Sequence, residues 1–287
     1  MVINWYPGHM AKAKRLIQEH LKMIDVVVEL VDARIPWSST NPMIGTLIGN
    51  KPSVVVLNKA DLADAAEVQA WIQQYEREGR QVVALNSKEG KSGKKLVAVI
   101  RRLAAPKLAH WRQRGLKNRS VRTMILGIPN VGKSTLINRL AGRNVAKTAD
   151  KPGETKGKQW VHLGEYLDLL DTPGVLWPKL ENQVSAYRLA ATGAISDTVF
   201  DRQTVVLQLL AELKQWYPQE LQRRFSLEQL GDTPLETLAA IGKKRGCLLR
   251  GGEPDWDKMY TLVLKEYREG KIGRLSLDHV AAVGSES

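Results

Sequence analysis

The sequence contains one cysteine, Cys247, in 287 residues, which excludes an internal disulfide framework and a cysteine-rich zinc site and fits a reducing compartment. Four of the five histidines, His20, His110, His162 and His279, are scattered with no metal-ligand spacing, so no zinc centre is expected. No run reaches the roughly 18 consecutive apolar residues that would cross a bilayer. The strongest, Val26 to Val31, contains Glu29 and follows Asp25. The N-terminus lacks a basic segment followed by an apolar one, so it does not read as a secretion signal. There is no internal repeat or low-complexity tract, and 284–287 reads as a frayed end. A soluble, cytoplasmic, monomeric protein with no membrane partner is expected.

Acidic residues are in deficit. Lys and Arg number 43 against 30 Asp and Glu, a formal charge of +13, which points to an anionic partner such as nucleic acid. The whole excess sits early: residues 1–175 hold 28 basic and 15 acidic side chains, and 176–287 hold 15 of each. Between Lys88 and Arg122, twelve basic residues face one acid, Glu89, with His110 and Trp111 as candidates for stacking on bases. At 43% hydrophobic and 25% charged the composition is that of a globular protein, and the length suggests two domains at about 150 residues each.

Short Val, Ile and Leu runs alternate with helical patterns through the first half, the signature of βαβ units around a mostly parallel sheet. The expected strands are 26–31, 53–57, 82–85, 123–127, 160–163 and 166–170, with helices over 65–78, 94–103 and 135–140. Trp71 and Tyr75, at i and i+4, read as helix-face packing. After Pro178 the strand-like runs stop. Helices are expected over 204–216, 226–230, 234–243 and 255–269, several entered through Asp, Ser or Thr. The expected architecture is an α/β domain over 1–175 followed by a small all-α domain over 176–287.

Gly127 to Thr135 reads GIPNVGKST and fits the G-x-x-x-x-G-K-[ST] phosphate loop, with an apolar strand before it and a helix after it. Such a turn aims backbone N–H groups and a helix N-terminus at phosphates, and Asn130, Val131, Gly132 and Thr135 are counted among the nucleotide contacts. Lys133 is placed to bridge the β and γ phosphates and Ser134 to ligate Mg²⁺. Downstream, Asp171-Thr172-Pro173-Gly174 forms a D-x-x-G at a strand end, in which Asp171 can hold Mg²⁺ and the Gly174 N–H can sense the γ-phosphate. Thr155 lies between the two and can complete the metal shell, with Thr148 as its competitor. Upstream, Asn58-Lys59-Ala60-Asp61 follows a strand. N-K-x-D selects guanine because the Asp carboxylate accepts from ring N1–H and the exocyclic amine, a donor pair adenine lacks. Asn86-Ser87-Lys88 ends the next strand like the loop that offers a backbone N–H to guanine O6. The substrate is therefore read as GTP, with Mg²⁺. Asp32 and Arg34 after the first strand either position phosphate-side loops or pair structurally.

The motif order is rotated: Ras-like GTPases run phosphate loop, threonine, DxxG, NKxD and then the S-A-K-like loop, whereas here NKAD and NSK come first. With this order, the opening Trp5-Tyr6-Pro7-Gly8-His9-Met10, the Asp32-Ala33-Arg34-Ile35-Pro36 segment and the late Gly270-Lys271-Ile272-Gly273-Arg274, the chain resembles the circularly permuted GTPases of the YlqF/YawG family over essentially its whole length. The resemblance implies a permuted P-loop GTPase fold, GTP hydrolysis coupled to late assembly of the large ribosomal subunit, and the subunit precursor and its rRNA as partners. It leaves two competing functions to weigh: a GTP-sensing RNA-binding chaperone whose hydrolysis is incidental, and a GTPase acting on tRNA or translation. Asn130 resembles the asparagine with which related GTPases bind K⁺ beside the phosphates, with a loop-capping amide as the alternative. The residue after DxxG is Val175, which cannot orient water, so slow intrinsic hydrolysis is expected. His9 is the in-chain candidate to orient or deprotonate the water, against a helix-entry or RNA-contact role. Because 176–287 continues directly from DxxG, movement at the γ-phosphate is expected to pull on the helical domain. That domain and the basic stretch Lys107 to Arg119 would then grip RNA in the GTP state.

Overall fold

Six short, largely apolar runs assemble into a single sheet in a computed structural model that describes residues 15, 17–89, 92–116, 119–142, 159–163, 166–172, 174 and 182–283. The strands are β1 (Val26–Asp32), β2 (Ser53–Asn58), β3 (Gln81–Leu85), β4 (Val121–Gly127), β5 (Gln159–Leu163) and β6 (Leu167–Asp171). Their spatial order is β3-β2-β1-β4-β6-β5, and all neighbours pair in parallel except β5 with β6. A parallel sheet is stable only when both faces are covered, and every residue of β1 is buried. Val26, Val28 and Leu30 pack with Leu96, Ile100 and Ala104 of the Ser92–Gln113 helix. On the opposite face Val27 joins Ile17, Leu21, Ile44 and Met124, and Val31 joins Leu57, Val68, Trp71 and Tyr75.

This arrangement fixes where a ligand can sit. Register places Asn58 opposite Leu85, Leu30 opposite Gly127 and Ile125 opposite Asp171, so the carboxyl ends of β2, β3, β4 and β6 open on one edge of the sheet. In open α/β sheets that edge is the ligand crevice.

Beyond 182 the described residues form helices at Gln183–Ala191, Arg202–Trp216, Pro218–Phe225, Pro234–Lys244, Trp256–Arg268 and Val280–Val283, with one isolated β-bridge between Leu248 and Pro254. Asn182, Asp201, Thr233 and Asp255 cap them through side-chain oxygens, and Thr233 forms a full capping box with Glu236. Two expectations fail locally. The helix expected over 226–230 lies instead at Pro218–Phe225: Pro218 supplies the first-turn residue, and Ser226, in the left-handed conformation, ends the helix rather than starting one. The helix expected over 94–103 runs through Pro106 to Gln113, because Ala104, Leu108 and Trp111 continue its apolar stripe.

The helical region is docked on the sheet through one continuous core. Ile128 and Val131 of the phosphate loop share a cluster with Ala186, Leu189 and Leu210. Polar ties flank it. The buried Asp278 accepts from Ser38 N at 2.6 Å and Ser38 Oγ at 2.8 Å, and from Arg188 at 2.9 Å. Arg188 also reaches Glu212 at 2.9 Å.

Candidate guanine-nucleotide site

The phosphate loop leaves β4 at Gly127 and enters the Lys133–Ala141 helix through Gly132, whose φ is +102°. That conformation suits glycine, and a side chain there would also strike the Asn58 amide. Gly127 is confined in the same way: a Cβ would come 2.5 Å from the Leu30 carbonyl oxygen. Asn130 sits at φ +55°, a conformation Asn tolerates better than most residues. The Lys133 ammonium is buried and donates to the carbonyls of Gly127 (3.1 Å) and Ile128 (2.7 Å). It is thereby held at the mouth of a loop whose N–H groups and helix terminus favour an anion.

Asn58, fully buried, joins motifs far apart in sequence. Its Nδ2 donates to Val131 O at 2.7 Å and its Oδ1 accepts from Ser87 N at 3.0 Å. One amide therefore clasps the NKAD loop, the phosphate loop and the NSK loop. The Ser87 N–H serves this clasp, and the Lys88 N–H goes to Asn86 Oδ1 at 2.9 Å. Lys59, at φ +60°, reaches Asp32 Oδ2 at 2.9 Å. Arg34 binds the same buried carboxylate with two nitrogens at 2.9 and 2.8 Å, and its guanidinium faces the Tyr267 ring at 5.3 Å. Burial pushes the Asp32 carboxyl up, but Arg34 and Lys59 outweigh it and hold it well below the usual carboxylate range. Of the two readings open for Asp32 and Arg34, the structure shows pairing, and pairing that orients the NKAD lysine. Asp61 is exposed at the rim.

Gly174 packs on the phosphate loop. A Cβ there would come 2.7 Å from Pro129 N and Cα and 3.1 Å from Lys133 Nζ. Thr172 Oγ1 ties the same segment to Ile125 O at 2.6 Å, and Asp171 closes β6 beside β4. Ser134 and Thr135 lie in the first turn of the Lys133–Ala141 helix. The Ser134 hydroxyl is an oxygen donor of the kind that a small divalent cation takes. The Asn130 amide donates to Gly193 O at 2.8 Å, so the phosphate loop is bonded to the helical region, a contact that sequence reasoning missed. His9, Thr148, Thr155 and Val175 lie outside the described residues.

One expectation is corrected. Trp111 cannot serve as a stacking platform in this form, since it is 7% exposed and its ring is covered by Arg119 at 4.5 Å and Lys107 at 5.4 Å. His110, Arg112, Arg114 and Arg119 around it are exposed.

A "Ribosome biogenesis GTPase A" of Priestia megaterium is 49% identical over 279 residues, covering 97% of each chain. The chain belongs to the ribosome biogenesis GTPase A family. The family member of Thermotoga maritima is 30% identical over 96% of this chain and 94% of its own. The crystal structure of GNP-bound YlqF from T. maritima superposes with a TM-score of 0.68 at 26% identity, covering 93% of this chain and 98% of that one. The profile of the 50S ribosome-binding GTPase family matches residues 122–231. As a member of this family the chain is a GTPase with the permuted P-loop fold, and its ligand is a guanine nucleotide, typically held with Mg²⁺.

Proposed function

We propose that this GTPase acts in ribosome biogenesis by binding the large ribosomal subunit precursor and promoting its late maturation. The observation that carries the nucleotide half is the Asn58 clasp, which seats the guanine-reading loop and the phosphate loop on one crevice. The relatives' names, which speak of ribosome biogenesis, and the description of the matched family, which speaks of 50S ribosome binding, support the ribosomal half.

In this reading Asp61 accepts from the guanine N1–H and amine, while Asn58, Lys59, Ala60, Asn86 and Ser87 shape the base pocket. Backbone N–H groups from Asn130 to Thr135 hold the phosphates. Lys133 exchanges its carbonyl partners for the β and γ phosphates, a move of one flexible side chain. Ser134, Asp171 and Thr155 would hold Mg²⁺, which when bound offsets phosphate charge. Asn130 would contribute to a K⁺ site only by turning its carbonyl oxygen to the phosphate side. His9 orients the attacking water, and the particle supplies what the chain's slow intrinsic chemistry lacks. The exposed Arg112 and Arg114, with Lys117, form the rRNA-facing surface, so contact runs through phosphates rather than through stacking on Trp111.

Purified precursor particles provide the test. GTP turnover rises on their addition for the wild type and fails to rise for His9→Ala at unchanged GTP affinity. Unstimulated wild-type turnover would refute the assembly-coupled reading, and full stimulation of His9→Ala would remove that residue from catalysis.

A further inference from the structure

The turn that carries Asp61 is held by a segment more than two hundred residues away. Arg274, Leu275 and Ser276, which have no regular structure, run alongside residues 60–64. Arg274 donates from Nη2 to Ala60 O and from Nε to Ala63 O, each at 3.1 Å. Leu275 N donates to Leu62 O at 3.0 Å, and Ser276 Oγ accepts from Asp64 N at 3.2 Å. Three consecutive residues thus bond the backbone on both sides of Asp61. The turn's own support is thinner: Leu62 N reaches Lys59 O at 2.9 Å and Ala60 N reaches Leu85 O at 3.2 Å.

The strap is itself fixed. Ile272, Leu275 and Leu277 are buried, Leu277 N donates to Arg34 O at 2.8 Å, and Asp278 is held by Ser38 and Arg188. The Arg274 guanidinium therefore comes from an anchored main chain, and its removal leaves the strap in place. A turn held before the base arrives loses less freedom on binding. A carboxylate that must meet two donors at once depends on that alignment.

We infer that Arg274 is a positioning residue for guanine recognition: its guanidinium, bridging the carbonyls of Ala60 and Ala63, sets the turn so that Asp61 meets both donors of the base. The inference rests on the proposed role of Asp61, and the test separates the two.

Affinities of the full chain for GDP and for IDP, which lacks the exocyclic amine, are measured by displacement of a fluorescent GDP analogue for wild type, Asp61→Ala, Arg274→Ala and Arg274→Lys. Wild type prefers GDP and Asp61→Ala loses the preference. Arg274→Ala weakens GDP binding by about tenfold, the scale of one lost charge-assisted hydrogen bond, and narrows the GDP:IDP ratio, and Arg274→Lys restores part of it. A wild-type ratio in Arg274→Ala, with the preference abolished in Asp61→Ala, would overturn the inference and leave the guanine reading standing. A wild-type ratio in Asp61→Ala overturns both. If Arg274→Ala melts below the assay temperature, Arg274→Lys decides: an unaltered ratio there overturns the inference, and a reduced one sustains it.

Discussion

Replacing Asn58 by alanine should cost stability and nucleotide affinity together. The side chain is fully buried and satisfies one acceptor, Val131 O, and one donor, Ser87 N–H. A buried backbone group left without a partner costs about 1–3 kcal/mol. With two such groups, and water from the adjacent crevice able to re-satisfy part of the loss, the expected destabilisation is about 2–4 kcal/mol. For a chain of this size that is a fall of roughly 5–15 °C in Tm. Asn58→Asp should be worse, because a carboxylate can accept from Ser87 N–H but presents negative charge to the Val131 carbonyl in a buried site. Thermal unfolding with and without GDP, together with GDP titration, measures both effects. An Asn58→Ala protein within about 0.5 kcal/mol of wild type and with unchanged GDP affinity would show that the clasp does not hold the two loops together.

Two further outcomes are expected. Asp32 has its carboxyl held low in the folded protein, chiefly by Arg34 and Lys59 against the opposing effect of burial, so its contribution is present above the ordinary Asp value of 3.8 and is lost as pH falls below it toward the folded value. Urea midpoints followed through that window should decline less steeply for Asp32→Asn, and an identical decline would refute the assignment. Neutralising Arg112, Arg114 and Lys117 together should weaken particle binding and flatten its dependence on salt; binding unchanged across a salt series would exclude that surface.

Much of the fold is legible because parallel strands and the phosphate loop obey local rules. Val26 to Val31 is apolar enough to be covered on both faces, and GIPNVGKST carries its own strand, turn glycine and helix start. Trp111 shows where local reading stops. An aromatic residue among arginines has the same appearance whether it is open to a base or roofed by its neighbours, and only tertiary packing puts Arg119 over the ring. The bonds from Arg274 to Ala60 and from Asn130 to Gly193 span 214 and 63 residues, and no periodicity encodes such pairings. A serine beside a helix suits an entry cap, whereas the left-handed backbone of Ser226 belongs to an exit, and only the structure separates the two.

The strap also sets an order in time. Ribosomes release this polypeptide from its amino end, so the triphosphate cradle at 127–135 emerges well before the residues at 274–276 that brace the base-reading turn. A product broken off late in translation would carry the cradle without the brace, and full purine selectivity would become a mark of a chain translated past Ser276.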